Sequence, residues 1–188
     1  MTHALPWRAA KTIALVGLMG AGKSSIGRRL AQALSLPFID ADSEIEAAAG
    51  SSIEEIFARD GEAAFRAGER RVIARLLDGP PQVLATGGGA FMDPSTRALI
   101  HERAISVWLR ADVDTLLARV GRRHNRPLLK AGEPRAVLTR LMEERYPVYA
   151  EADIAVDTVD GPPEATLAKV LDALGHFLAA PAQIGAAP

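Results

Sequence analysis

Residues 17 to 24 read Gly17-Leu18-Met19-Gly20-Ala21-Gly22-Lys23-Ser24, the residue types and spacing of a cradle for a nucleoside triphosphate. Glycines let the backbone turn tightly and aim successive N–H groups at phosphate oxygens, Lys23 offers a point charge, and Ser24 offers a hydroxyl for magnesium. The flanks supply the context that a bare pattern needs. Lys11 to Val16 is a short apolar run of the kind that forms a buried parallel strand. Ile26, Leu30 and Leu34 then recur at four-residue spacing, as an amphipathic helix requires. A helix opening there adds the positive end of its dipole to the same anion site.

Three further groups could do chemistry. Asp40 and Asp42 follow a short strand and would share one side of an extended chain, one near a metal and one near a substrate hydroxyl. The competing reading is that Asp42 or Ser43 caps a helix beginning near Glu44. Gly87-Gly88-Gly89 gives up backbone entropy and offers no side chain to a core, which points to close approach of a ligand or of another chain segment. Residues 121–132, Gly-Arg-Arg-His-Asn-Arg-Pro-Leu-Leu-Lys-Ala-Gly, form a basic segment of the length and composition of a mobile lid, whose arginine could meet transferring phosphoryl charge. Arg66 and Arg145 read in isolation as helical surface ion pairs beside Glu69 and Glu144.

Strands and helices that alternate along the chain must hold these groups. Strands are expected at 11–16, 36–40, 82–86, 104–109 and 154–156. A capping box at Ser52–Glu55 opens a helix that Gly61 closes, and a longer helix follows to Leu77. Asp93-Pro94 starts another, 113–120 forms a fourth helical stretch, and the last runs from about Glu164 to Leu178. Such alternation predicts an α/β fold: a five-stranded parallel sheet between two helical layers, with ligands beyond the carboxyl ends of the strands. One domain over 11–178 is expected, with tails at 1–10 and 179–188.

Bulk composition narrows the function class. Of 188 residues 48% are hydrophobic and 24% charged, with a formal net charge of −1, so nothing advertises nucleic acid or an anionic membrane. No cysteine occurs, which removes disulfides, thiolate metal sites and cysteine nucleophiles. His3, His101, His124 and His176 fall in no metal-ligand spacing. With no apolar run near membrane-spanning length and no signal-peptide pattern, a cytoplasmic protein is expected. A guanine-reading Asn/Thr-Lys-x-Asp motif is missing, which argues against a nucleotide switch. Kinases of gluconate or of nucleoside monophosphates remain alternatives that share the phosphate loop.

Taken together, the ordered motifs resemble the shikimate kinase family. They are Gly-Leu-Met-Gly-Ala-Gly-Lys-Ser at 17–24, Phe-Ile-Asp-Ala-Asp at 38–42, Ile-Phe-Ala-Arg-Asp-Gly-Glu-Ala-Ala-Phe-Arg at 56–66, Thr-Gly-Gly-Gly-Ala at 86–90, Arg-Pro-Leu-Leu at 126–129 and Glu-Arg-Tyr-Pro-Val-Tyr at 144–149. The resemblance implies a P-loop kinase fold with substrate-binding helices at about 43–78. It implies transfer of the γ-phosphoryl group of ATP to the 3-hydroxyl of shikimate, with Mg2+, by a cytoplasmic monomer. Gly20, Ala21, Gly22, Lys23, Ser24 and Ser25 would hold the phosphates, Ser24 would ligate the metal, and Asp40 would support it through water. Asp42 would orient or deprotonate the hydroxyl, while Arg66, Arg145 and the backbone of Gly87, Gly88 and Gly89 would bind the acceptor. Arg119 would stack near the adenine, and Arg126 would be the lid arginine.

Overall fold

The computed structural model describes residues 9–121 and 133–180. Five strands form one parallel sheet: β1 (Thr12–Val16), β2 (Phe38–Asp40), β3 (Val83–Ala85), β4 (Ala104–Arg110) and β5 (Ile154–Asp157), in the order β2-β3-β1-β4-β5. Around it lie α1 (Lys23–Leu34), α2 (Ala41–Ala49), α3 (Ile53–Leu77), α4 (Pro94–Arg103), α5 (Val113–Gly121), α6 (Pro134–Tyr149) and α7 (Pro163–Ala179), with a 3-10 turn at Ala90–Met92. All of β1 and the first six residues of β4 are buried. Since neighbouring strand residues point to opposite faces, burial of both sets means that helices cover both faces of the sheet. The three-layer expectation holds.

Strand order decides where a ligand can sit. The chain leaving β1 passes through α1 to β2 on one side, while the chain leaving β3 crosses through α4 to β4 on the other. Adjacent strands whose connections part in this way open a crevice at their carboxyl ends. Register brings these ends level: Leu15 stands beside both Ala85 and Val107, and Asp40 beside Ala85. Thr86 continues the alignment by donating its hydroxyl to Leu15 O at 2.9 Å. The phosphate loop, the start of α2 and the three glycines therefore share one rim.

Local details refine the expected elements. The capping box forms, with Glu55 N donating to Ser52 Oγ at 3.2 Å and Ser52 N donating to Glu55 Oε2 at 2.8 Å. Gly61 breaks the helical geometry (φ 80, ψ 173), so α3 consists of two helical pieces that meet at a kink there, the first closing at the glycine and the second running on to Leu77, as expected. Asp93 accepts from Thr96 N at 2.8 Å and caps α4 as expected. The sequence pattern had no helix assigned at 134–149. Pro147 lies inside α6, and only Val137, Leu138, Leu141 and Tyr149 of its residues are buried, so apolar periodicity was a weak guide there.

Candidate active site

The phosphate loop has the geometry its sequence requires. Gly20 (φ +82) and Gly22 (φ +100) occupy left-handed conformations that other residues rarely adopt. Gly22 is the N-cap of α1, no side chain caps that end, and no acid stands in the first turn. The first amides of α1 are thus left to an anion, backed by the helix dipole. Lys23 Nζ donates to Gly17 O at 2.7 Å and to Leu18 O at 3.0 Å, which arches the loop around its own ammonium. Arg119, reaching over from α5, donates to Ala21 O at 3.1 Å and Thr158 Oγ1 at 2.7 Å. It straps the phosphate loop to the segment leaving β5.

Asp40 and Asp42 do not share a side as an extended chain would make them. Helix α2 begins at Ala41 with Asp40 as its N-cap, accepting from Asp42 N at 3.2 Å. The competing expectation, a cap at Asp42 or Ser43, is also displaced: the capping carboxylate is Asp40, two residues before the first of them. Asp40 Oδ2 accepts from the Ser24 hydroxyl at 2.9 Å, so hydroxyl and carboxylate form an oxygen pair beside the loop. Hard oxygen donors of this kind suit magnesium. Asp42, in the first turn of α2, faces the glycine segment instead.

The two arginines that looked like surface pairs line one cleft. Arg66 and Arg145, with Glu62, Gly89, Met92, Asp93 and Glu144, bound a cavity of about 350 Å³. Arg66 Nη1 donates to Glu69 Oε2 at 2.6 Å, and Glu69 is only 2% exposed, which corrects the surface reading. Burial pushes the Glu69 carboxyl above the ordinary range; the Arg66 guanidinium opposes this, and Asp42 and Asp93 add to it. Arg145 Nη1 donates to Gly88 O at 2.9 Å, and among the described residues no carboxylate pairs with it. A guanidinium that faces a cleft and is paired with none of the carboxylates around it can receive an anionic group.

Two residues of this wall had no expected role. Glu69 was visible only as the i+3 partner of Arg66, a spacing common on exposed helices. Tyr149, fully buried, donates its hydroxyl to Gly88 O alongside Arg145, and burial pushes its pKa up to about 12. Its signal was the second tyrosine of the 144–149 motif. The expected lid at 121–132, and Arg126 with it, lies outside the described residues. Gly20, Ala21, Gly22, Lys23, Ser24 and Ser25 meet at the loop, and Asp42, Arg66, Gly87, Gly88, Gly89 and Arg145 meet across the rim from it.

Comparison with known proteins points the same way. The family model for shikimate kinase matches residues 19–175. A shikimate kinase of Paramagnetospirillum magneticum is 63% identical over 174 residues, covering 93% of this chain and 89% of that protein. One of Caulobacter vibrioides is 65% identical over 165 residues, covering 88% and 82%. Among solved structures, shikimate kinase from Acinetobacter baumannii in complex with shikimate superposes with a TM-score of 0.84 at 39% identity, covering 89% of this chain and 94% of that one.

Proposed function

The chain belongs to the shikimate kinase family, and from that membership we propose how its own residues divide the work. It is an ATP-dependent kinase acting on an alcohol group, which transfers the γ-phosphoryl of ATP to the 3-hydroxyl of shikimate and yields shikimate 3-phosphate and ADP for aromatic amino acid synthesis. Lys23 and the amides of Gly20 to Ser25 hold the donor phosphates. Arg66 and Arg145 grip the acceptor carboxylate by forked hydrogen bonds, with the glycine backbone as the floor. Asp42 then aligns the 3-hydroxyl and receives its proton as the O–P bond forms. Phosphoryl transfer asks for positioning and charge stabilisation more than for covalent catalysis, and this site offers both.

Ser24 would bind magnesium directly and Asp40 through water; the ion would neutralise charge on the β- and γ-phosphates. Arg119 holds the wall against which adenine lies. On this reading the partners are shikimate and ATP alone, and the working unit is a cytoplasmic monomer. No helix of the described residues is long and apolar enough to cross a membrane.

The observation that carries the assignment of roles is the convergence of Arg66 and Arg145 on one cleft beside Asp42. The test is ADP release measured in parallel with shikimate, gluconate and AMP as acceptors. Turnover is expected with shikimate alone. Equal or greater turnover with either of the others overturns the acceptor assignment.

A further inference from the structure

Gly87, Gly88 and Gly89 are not explained by backbone freedom. Among the described glycines, positive φ occurs at Gly17, Gly20, Gly22, Gly50 and Gly61, and at none of these three. A Cβ on two of the three would run into charged side chains of the site, where one on Gly17, Gly20 or Gly27 would meet backbone or apolar atoms. A Cβ on Gly87 would lie 2.8 Å from Glu69 Oε1 and 2.9 Å from Asp42 Oδ1. On Gly88 it would lie 3.4 Å from Arg145 Nη1, and on Gly89 it would lie 2.6 Å from Arg66 Cζ. Real Cβ contacts essentially never fall under 3.0 Å, so the first and third positions are closed to any side chain while these groups stay in place.

Each glycine thus abuts charged groups delivered by different helices: α2 and α3 at Gly87, α6 at Gly88, α3 at Gly89. The neighbours are the tips of long side chains, which can move without unfolding the core. Glu69 Oε1, buried and without a hydrogen-bond partner, shows how tightly the first slot is enclosed. We infer that Gly87 and Gly89 are positioning residues, each leaving a slot that sets the place of charged groups of the acceptor site: Asp42 with Glu69 at the first, and Arg66 at the second. Their contribution is an absent Cβ, in addition to any hydrogen bond from their backbone. This rests on the roles proposed above for Asp42 and Arg66.

The experiment compares Gly87→Ala, Gly88→Ala and Gly89→Ala with Asp42→Asn, Arg145→Ala and Arg66→Ala, and adds the double variant Gly89→Ala/Arg66→Ala. A misplacement of about 1 Å can cost on the order of a hundredfold, so Gly89→Ala should raise the shikimate KM at least about tenfold while the ATP KM stays within about twofold. Gly87→Ala should lower kcat, as Asp42→Asn should, and Gly88→Ala, whose Cβ would stand 3.4 Å from Arg145 Nη1, should be the mildest. In the double variant the truncated side chain vacates the slot, so Gly89→Ala should add nothing to Arg66→Ala, a non-additivity that a purely structural glycine would not show. Full additivity, or a Gly89→Ala defect shared equally by both substrates, overturns the inference. If Arg66→Ala itself leaves the shikimate KM unchanged, it is the role of Arg66 that fails. Should Gly89→Ala lose its fold, the same comparison is made on thermal midpoints: recovery in the double variant supports the slot, and no recovery overturns it.

Discussion

The phosphate cradle comes from one unbroken stretch between Gly17 and Ser24, whereas the proposed acceptor cleft takes Asp42, Arg66, the glycines at 87–89 and Arg145 from four separate stretches. The donor side grips with backbone amides, two left-handed glycines and the open end of α1, so its recognition is almost complete once strand, turn and helix exist. The acceptor side grips with side-chain tips, and each tip is held by a neighbour: Arg66 by Glu69, Arg145 by Gly88, the glycine carbonyl in turn by Tyr149. A site made of backbone is robust to change in its surroundings. One made of long side chains depends on every neighbour that restrains them.

On the proposed assignment Lys23 is the exception on the donor side, a side chain whose charge meets the phosphates, and its loss should have the largest effect. Lys23→Ala should lower kcat/KM by on the order of a hundredfold to a thousandfold, as removal of a preorganised charge-stabilising group does. Its bonds to Gly17 O and Leu18 O are replaceable by water, so thermal stability should fall by no more than about 2 kcal/mol. Coupled-assay kinetics and a melting curve on the same preparation check both numbers. Turnover within tenfold of the wild type would show that amides alone suffice, and would make the contrast between the halves sharper still.

The same contrast explains what could be read from the sequence. The cradle was legible because its chemistry and its fold lie in the same eight residues, and the parallel sheet because apolar runs alternate with helical periodicity. Arg66 and Arg145 read as ordinary surface pairs because nothing near either of them in sequence reveals that α3 and α6 converge on the same cleft. Glu69 was hidden for the same reason: only tertiary packing makes an i,i+3 carboxylate 2% exposed. Asp40 and Asp42 are hard to tell apart from sequence, since a capping aspartate and an extended one look alike until the helix start is known. The ordered set of motifs recovered by resemblance what local physics could not.

Glu69 offers the next test, on the acceptor side. Glu69→Gln keeps an acceptor for Arg66 but not the charge that fixes it, and should raise the shikimate KM on the order of threefold to tenfold with little change for ATP. Its pH signature has a definite sign. Burial, against the pull of Arg66, lifts this carboxyl above its ordinary 4.5. The associated stability is full below 4.5 and is lost as pH rises through the higher folded value. Wild type should therefore lose stability relative to Glu69→Gln on going from acid to neutral pH, by denaturant melts at each pH. A difference that is flat in pH would place the charge in water and undo the picture of a buried anchor.

Asp112 provides the matching case on the donor side, with the smallest effect and the opposite sign. It precedes α5, and Thr115 N donates to its Oδ1 at 2.7 Å. The backbone and side chain of Thr115, against a small burial penalty, hold its carboxyl below the ordinary 3.8. Stability from this cap is present above 3.8 and is lost as pH falls through the lower folded value. Asp112→Ala should cost about 1 kcal/mol at neutral pH, as loss of a helix N-cap does, and the difference should close in strong acid. α5 carries Arg119, which ties the phosphate loop to Thr158, so the loosened helix start lies beside donor machinery. A cradle carried by its own backbone should nevertheless keep its ATP KM within about twofold when this neighbour weakens. A tenfold rise would mean that the donor side, too, depends on side-chain restraint, and the two halves would then differ in degree and not in kind.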